Sequence, residues 1–238
     1  MTISIIIPTY NEAEAIYEQL ERIKHHLKEP ELTEIILVDG QSTDETPVQI
    51  KRFIKNSKVA PFSIKLEHAE KGRAKQLNYG ARKATGELLY FLHADTFTFK
   101  KFDKKIKTAV ANGLDAGCFR LKFDQNHPLL KISEWFTRFN WKICRGGDQS
   151  LFVKKNIFNA LNGFNEDYTI YEDCEFVNRL YDNGKFRVLP FTVTTSSRRY
   201  LKHGMYRLQF HFAVIHAKYW LGYSPTSLKN YYLKHISQ

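Results

Sequence analysis

The chain has 238 residues, 43% hydrophobic and 26% charged, enough apolar content to bury one substantial core, so disorder is excluded as its default state. Lys plus Arg number 36 against 25 Asp plus Glu, a formal charge of +11, which suits a phosphate-bearing ligand or an anionic membrane surface, although charge alone does not exclude a merely basic solvated surface. Nucleic acid is not expected as a partner. Cys118, Cys144 and Cys174 are odd in number and widely spaced, which argues against a disulfide framework or a zinc site and for a reducing, cytoplasmic compartment.

The amino terminus runs straight into "TISIIIP", without the basic region and apolar stretch of a signal peptide. The most membrane-like segment, Met205 to Tyr223, is interrupted by Arg207, His211, His216 and Lys218, so it is not expected to span a bilayer. A protein outside the membrane is expected, with peripheral attachment at the inner membrane face left open.

In chain order, a first strand is predicted over Ile3 to Ile7, closed by Pro8. A helix is predicted to open at Asn11, where Glu14 gives a capping-box spacing and Ile16, Leu20, Ile23 and Leu27 share one face. A second strand, Glu34 to Val38, runs into Asp39 and Gly40, and Thr46 with Pro47 reads as the cap and first residue of another helix. A third strand, Ile64 to Glu67, precedes a helical pattern on Ala74, Leu77, Ala81 and Ala84 that Gly86 ends. The decapeptide "LLYFLHADTF", residues 88 to 97, reads as a fourth strand buried on both faces and ending in His93, Ala94 and Asp95. A strand near Ala116 to Phe123 leads into the aromatic segment "SEWFTRFNWKIC", and the tail is expected to be helical from about Gly204, broken at "GYSP". Alternating strands and helices predict an α/β fold with a mainly parallel nucleotide-binding sheet and a helical C-terminal tail, in one domain over residues 1–238.

Three strand ends carry unusual chemistry: "PTYNE", "VDGQSTDET" and "HAD". In a doubly wound sheet these carboxyl ends line one crevice. The first lacks G-x-G-x-x-G, which argues against a dinucleotide site. Asp39 reads as a turn residue before Gly40 or as an acceptor for a base or ribose. Asp95 reads with equal weight as a turn cap or as a ligand for a hard divalent cation, which takes one or two protein oxygens and completes its shell with phosphate and water.

The stretches "IPTYNEAEAI", "IILVDGQSTDET", "GRAKQLNYGA", "LLYFLHADT", "GDQSLFV", "YEDCEF" and "TSSRRY" resemble, in order and spacing, the family 2 glycosyltransferases with the GT-A nucleotide-sugar fold. They are most similar to a short subgroup in which HAD, GDQ and SSRRY-like elements recur together. The resemblance implies that Thr9, Tyr10, Glu12 and Asp39 contact the nucleoside of a nucleotide diphosphate-sugar, with Arg73 nearby. It makes Asp95 the last acidic residue of a D-x-D motif, binding Mg²⁺ or Mn²⁺ on the donor diphosphate, with His93 standing where the first acidic residue belongs. His93 is read as touching the donor or, by preference, as packing.

The same resemblance makes Asp173 the general base of an inverting transfer supported by Glu172, although Asp173 also reads as a helix N-cap. Gly147, Asp148 and Gln149 are assigned to the acceptor side, where a plain reading sees a turn before a strand. Arg198 and Arg199 are assigned to the diphosphate, in a place where similar members carry Q-x-x-R-W; here the glutamine is absent and Tyr200 replaces the tryptophan. His203 is read as structural or as approaching the phosphates. Trp135, Phe136, Phe139 and Trp141 read first as helix core, otherwise as a greasy acceptor surface against lipid.

The implied division is a donor half over residues 1–115, an acceptor and catalytic half over 116–204 and a tail over 205–238. The implied function is a metal-dependent transfer of sugar, from UDP ahead of GDP, to a saccharide or lipid-like acceptor. The rivals are a nucleotidyltransferase acting on a sugar phosphate, which would carry a Gly-rich phosphate loop after its first strand, and a nucleotide-sugar-binding module without turnover.

Overall fold

A computed structural model describes residues 1–57 and 60–237, with Gly147 described through its backbone alone. Strands β1 (Ile3–Thr9) and β2 (Thr33–Asp39) are buried along nearly their whole length, as their unbroken Ile, Leu and Val runs require. They flank helix α1 (Ala13–His26), and helix α2 (Thr46–Asn56) leads to β3 (Ser63–His68). Next come α3 (Arg73–Lys83), β4 (Leu88–Phe91), the short β5 (Thr96–Phe97), α4 (Phe102–Ala111) and β6 (Ala116–Phe123). Helix α5 (Pro128–Phe136), β7 (Leu151–Lys154), α6 (Lys155–Ala160), α7 (Glu172–Asn183) and β8 (Phe186–Thr195) complete the layered part. Helices α8 (Arg198–His203), α9 (Met205–Trp220) and α10 (Pro225–His235) form the tail.

One eight-stranded sheet runs β3-β2-β1-β4-β7-β6-β8-β5. The expected parallel arrangement holds for β1 to β4, whereas β7 lies antiparallel between β4 and β6, so the whole sheet is mixed. Successive side chains point to opposite faces, so Ile3, Ile5 and Ile7 pack with Ile16, Leu20 and Phe53, while Ile6 packs on the other face with Leu77 and Ala81. Each of these buried Ile, Leu and Phe side chains contributes roughly 1.5–3 kcal/mol. A third, smaller cluster of Leu208, Ile215, Leu228 and Ile236 joins α9 to α10 and receives Tyr168, Tyr171 and Tyr200 from the body.

Several local expectations are corrected. Helix α1 begins at Ala13 without a capping box: Asn11 sits at φ 55° and its side chain accepts a hydrogen bond from the Thr43 amide, tying the two loops together. Strand β1 continues through Pro8. The β4 ladder has ended at Ile6↔Phe91, so the missing N–H costs no pairing there. The decapeptide is two strands: β4 is central, and after the His93–Asp95 turn β5 pairs antiparallel with β8 at the sheet edge. Buried Gln19 holds that turn by donating to the carbonyls of His93 and Thr96, at 3.4 and 2.5 Å. The aromatic segment is not core, because Trp135, Phe136 and Trp141 are exposed. All three cysteines are free thiols.

Candidate active site

The carboxyl ends of β1 and β4 open into a cleft of about 660 Å³ rich in charged side chains, which the tail helices close from the other side. Its floor is built by sequence necessity. Gln76 donates from Nε2 to the carbonyls of Thr9 (2.9 Å) and Val38 (2.7 Å), clamping β1 to β2. A Cβ on Gly40 would lie 2.8 Å from that amide, so only glycine keeps the clamp. Thr9, Tyr10, Glu12, Arg73, His93 and Asp95 all line the cleft, as do Arg198 and Arg199.

Asp39 does not line it. Its carboxylate is buried at the end of β2, accepting from Ser42 Oγ at 2.5 Å and from the Ser42 amide at 3.1 Å, with His68 Nδ1 3.6 Å away. His203 lies outside the cleft, and Gly147 lies outside the residues whose surroundings are described.

Arg73 opens α3, and Gly72 before it turns the chain at φ 142°, a conformation that glycine tolerates. This sends the guanidinium across to the first turn of α7, where Nη1 lies 3.2 Å from Glu172 Oε1 and donates to Asp173 Oδ2 at 3.3 Å. Asp173 is not the N-cap. Tyr171 holds that position in the left-handed region at φ 71° and bonds through its hydroxyl to His216 Nδ1 at 2.6 Å. A bulky residue held there is strained, and such strain is typical of functional turns.

His93 corrects the packing reading: Nδ1 lies 3.1 Å from Asp148 Oδ1 and Nε2 3.6 Å from Asp173 Oδ2. Burial and the Arg73 charge disfavour the imidazolium, but the two carboxylates outweigh them and push its pKa up to about 10. Burial by itself would raise Asp148, yet the His93 hydrogen bond and charge hold it down at about 2. Asp173 is likewise lowered, burial being overcome by His93 and Arg73. Glu172 goes the other way. Burial pushes it up to about 7, helped by the neighbouring Asp173 charge and only partly opposed by Arg73, and neither carboxyl oxygen has an aligned hydrogen-bond donor among the described residues.

The carboxylate of Asp95 is raised by burial and then by the charge of Asp148. Among the described residues no group of three or more His, Cys, Asp or Glu side chains converges to hold a cation. One partly buried, hard carboxylate at the cleft fits a divalent cation that arrives with, and is mainly held by, a diphosphate. It does not fit a resident ion caged by protein alone. Arg198 donates to Glu12 at 2.9 Å, bridging the tail to the loop after β1, and Arg199 donates to the Tyr232 hydroxyl at 3.0 Å.

A second cavity of about 760 Å³ adjoins the cleft, mostly apolar and walled by α5, the segment after it and α9. Arg73, Asp148, Tyr171 and Arg199 line both cavities, whereas Asp173 and Gln149 face the second one. Lys71, Tyr171 and Tyr232 also line the cleft without having been singled out in the sequence. Lys71 sits 3.9 Å above the Tyr10 ring. The aromatic directly before the acidic pair of α7 was a legible signal for Tyr171; for Tyr232 there was none, because its place depends on how the tail folds back.

Solved glycosyltransferases share this architecture. Mannosyltransferase PcManGT from Pyrobaculum calidifontis, in complex with GDP-Man and Mn²⁺, superposes with TM-score 0.71 at 23% identity, covering 96% of this chain and 67% of that one. S. aureus TarS 1-349 in complex with UDP gives 0.66 at 22%, covering 82% and 60%. The fold is therefore the GT-A fold of glycosyltransferases. The model described as glycosyl transferase family 2 matches residues 4–189, and the chain belongs to that family. Among curated proteins it is 24% identical over 210 residues to probable glycosyltransferase YdaM of Bacillus subtilis, covering 81% of this chain and 50% of that protein. It is 23% identical over 185 residues to glycosyltransferase AglE of Haloferax volcanii, covering 76% and 58%. The chain thus spans about half the length of the curated relatives it matches.

Proposed function

We propose that the protein transfers a sugar, with inversion, from a nucleotide diphosphate-sugar in the cleft to a hydroxyl or carboxylate acceptor in the adjoining cavity. The observation that carries this reading is the position of Asp173: it faces the second cavity, while Arg73, bonded to it, lines both. A base is needed on the acceptor side of the anomeric carbon, opposite the departing diphosphate.

In the reaction the acceptor oxygen bonds to the anomeric carbon as the bond to the diphosphate oxygen breaks. When the acceptor is a hydroxyl its proton passes to the Asp173 carboxylate, whereas an ionised carboxylate acceptor has none to lose, and in either case the nucleoside diphosphate leaves with the bonding electrons. Arg73 and His93 keep Asp173 ionised before the step. Arg198 and Arg199 are the cleft's forked donors for phosphate oxygens, where charge grows in the transition state. Asp95 would hold Mg²⁺ or Mn²⁺, which when bound neutralises charge on the diphosphate. Thr9, Tyr10 and Glu12 are assigned to the nucleoside, with Asp39 supporting their loop from behind through Ser42. Residues 1–115 would supply the donor side and 116–204 the acceptor side and base, with 205–238 covering the cleft, all as one working unit.

TarS was solved with UDP and PcManGT with GDP-Man and Mn²⁺, so both nucleotides are candidates, UDP first. Incubation with a panel of UDP- and GDP-sugars, Mn²⁺ and saccharide or lipid acceptors, followed by product analysis, tests the reading. Released nucleoside diphosphate with a glycosylated acceptor is expected. Released pyrophosphate points instead to nucleotidyl transfer, and binding without release to a sensor module.

A further inference from the structure

We infer that the second cavity takes the apolar body of a membrane-borne lipid acceptor, and that its rim rests on an anionic bilayer. The acceptor assignment rests on the proposed transfer; the membrane contact does not. The cavity's size is that of a site burying a drug-sized molecule. Its polar end is the Asp173–Arg73 pair, so an occupant has to combine a nucleophilic head with an apolar remainder.

The mouth shows where that remainder comes from. Phe136, Trp141, Ile143 and Trp220 line the cavity and are yet 44%, 56%, 62% and 48% exposed. Ile132 and Trp135 on one side and Leu221 and Tyr223 on the other extend the apolar surface beyond it. Large exposed patches of this kind mark interaction sites. Aromatic and aliphatic side chains over a basic framework are the composition of surfaces that lie in a bilayer interface. The charge selects the same partner. Arg138 after α5 is exposed, Lys131 and Lys142 being paired with Glu134 and Asp182 and Arg145 being buried, and residues 198–238 carry seven Lys or Arg and no Asp or Glu, with Lys202, Arg207, Lys229 and Lys234 exposed. A second copy of the chain would set this cationic rim against itself, whereas anionic headgroups complement it. Among the described residues no helix is long and apolar enough to cross a membrane, so the contact is peripheral.

Trp135, Trp141 and Trp220 are the protein's three tryptophans, so intrinsic fluorescence reports on this rim alone. Vesicles of phosphatidylglycerol and phosphatidylcholine should shift tryptophan emission to the blue and carry the protein on flotation. Lipids brominated on the acyl chain should quench that emission, which establishes apolar insertion and not headgroup binding alone. Ile143→Glu, at an exposed position, should lower vesicle partitioning about tenfold or more while keeping the parent's melting temperature. No quenching by brominated lipid, or a blue shift that follows protein concentration without vesicles, as a dimer would give, overturns the inference. So does a shift produced by monomeric octanol in a protein that does not float with vesicles, because the apolar ligand would then come from solution. None of these readouts needs turnover, so they stand or fall apart from the donor panel.

Discussion

His93 and Asp173 lie 80 residues apart in the chain yet meet at 3.6 Å, and the chemistry proposed for the base depends on that contact. Asp173→Asn keeps the shape but cannot take a proton. Transfer should fall roughly 10²–10⁴-fold with donor affinity nearly unchanged, read as kcat against donor Kd. A mutant of near-parental kcat removes Asp173 from the role. His93→Gln withdraws the cation that holds Asp173 down, so the carboxylate should protonate at higher pH. The acidic limb of the rate–pH profile should therefore move up in pH, an effect that a merely structural histidine would not produce.

Helix α3 carries Arg73 to the site, and its distance from the sheet is set by Gly80, where a Cβ would come within 2.5 Å of Ile6 Cγ2. Gly80→Ala should cost roughly 1–3 kcal/mol in urea unfolding through overpacking, despite alanine's better helix propensity. A stabilised variant would show that the helix can lift without penalty. The elements themselves were largely legible. The Ile and Leu runs of β1 and β2 and the spaced apolar residues of α1 and α3 are local patterns, and local patterns survive without knowledge of the fold. The decapeptide was misread because Thr96 and Phe97, both good strand formers, follow the apolar run so closely, although their partners, Thr195 and Thr194, lie about a hundred residues away. The aromatic segment was misread because large apolar side chains look the same in sequence whether they face a core or lie exposed.

Across the whole molecule, stability is coupled to buried charge. Glu172, raised from 4.5 to about 7 by burial, binds more protons folded than unfolded, so its contribution is present below pH 4.5 and is lost as pH rises through 7. Asp95, also raised, adds the same sign, while the lowered Asp148 and Asp173 are already fully ionised in this range. Between pH 5 and 6.5 Glu172 thus lowers the melting temperature while His26 and His216, lowered by burial, raise it, so the difference between the parent and Glu172→Gln isolates the Glu172 fall, worth at most about 2 kcal/mol over that window. A donor that binds only the folded protein should raise the melting temperature, and Mn²⁺ should add to the rise. Asp95→Ala should erase the Mn²⁺ increment, and an unchanged metal titration of donor binding would contradict its assignment.

The amino-acid order alone determined the alternating α/β layout, the three polar strand ends and the family motifs, because period, punctuation and spacing are properties of neighbouring residues. Only the tertiary structure decided that Arg73 joins Asp173, that His93 lies between Asp148 and Asp173, that Asp39 lies outside the cleft, and that an apolar cavity opens beside Asp173. Each of these joins residues far apart in the chain, and such contacts arise from the folding of the sheet and the return of the tail over its edge, which no local pattern encodes.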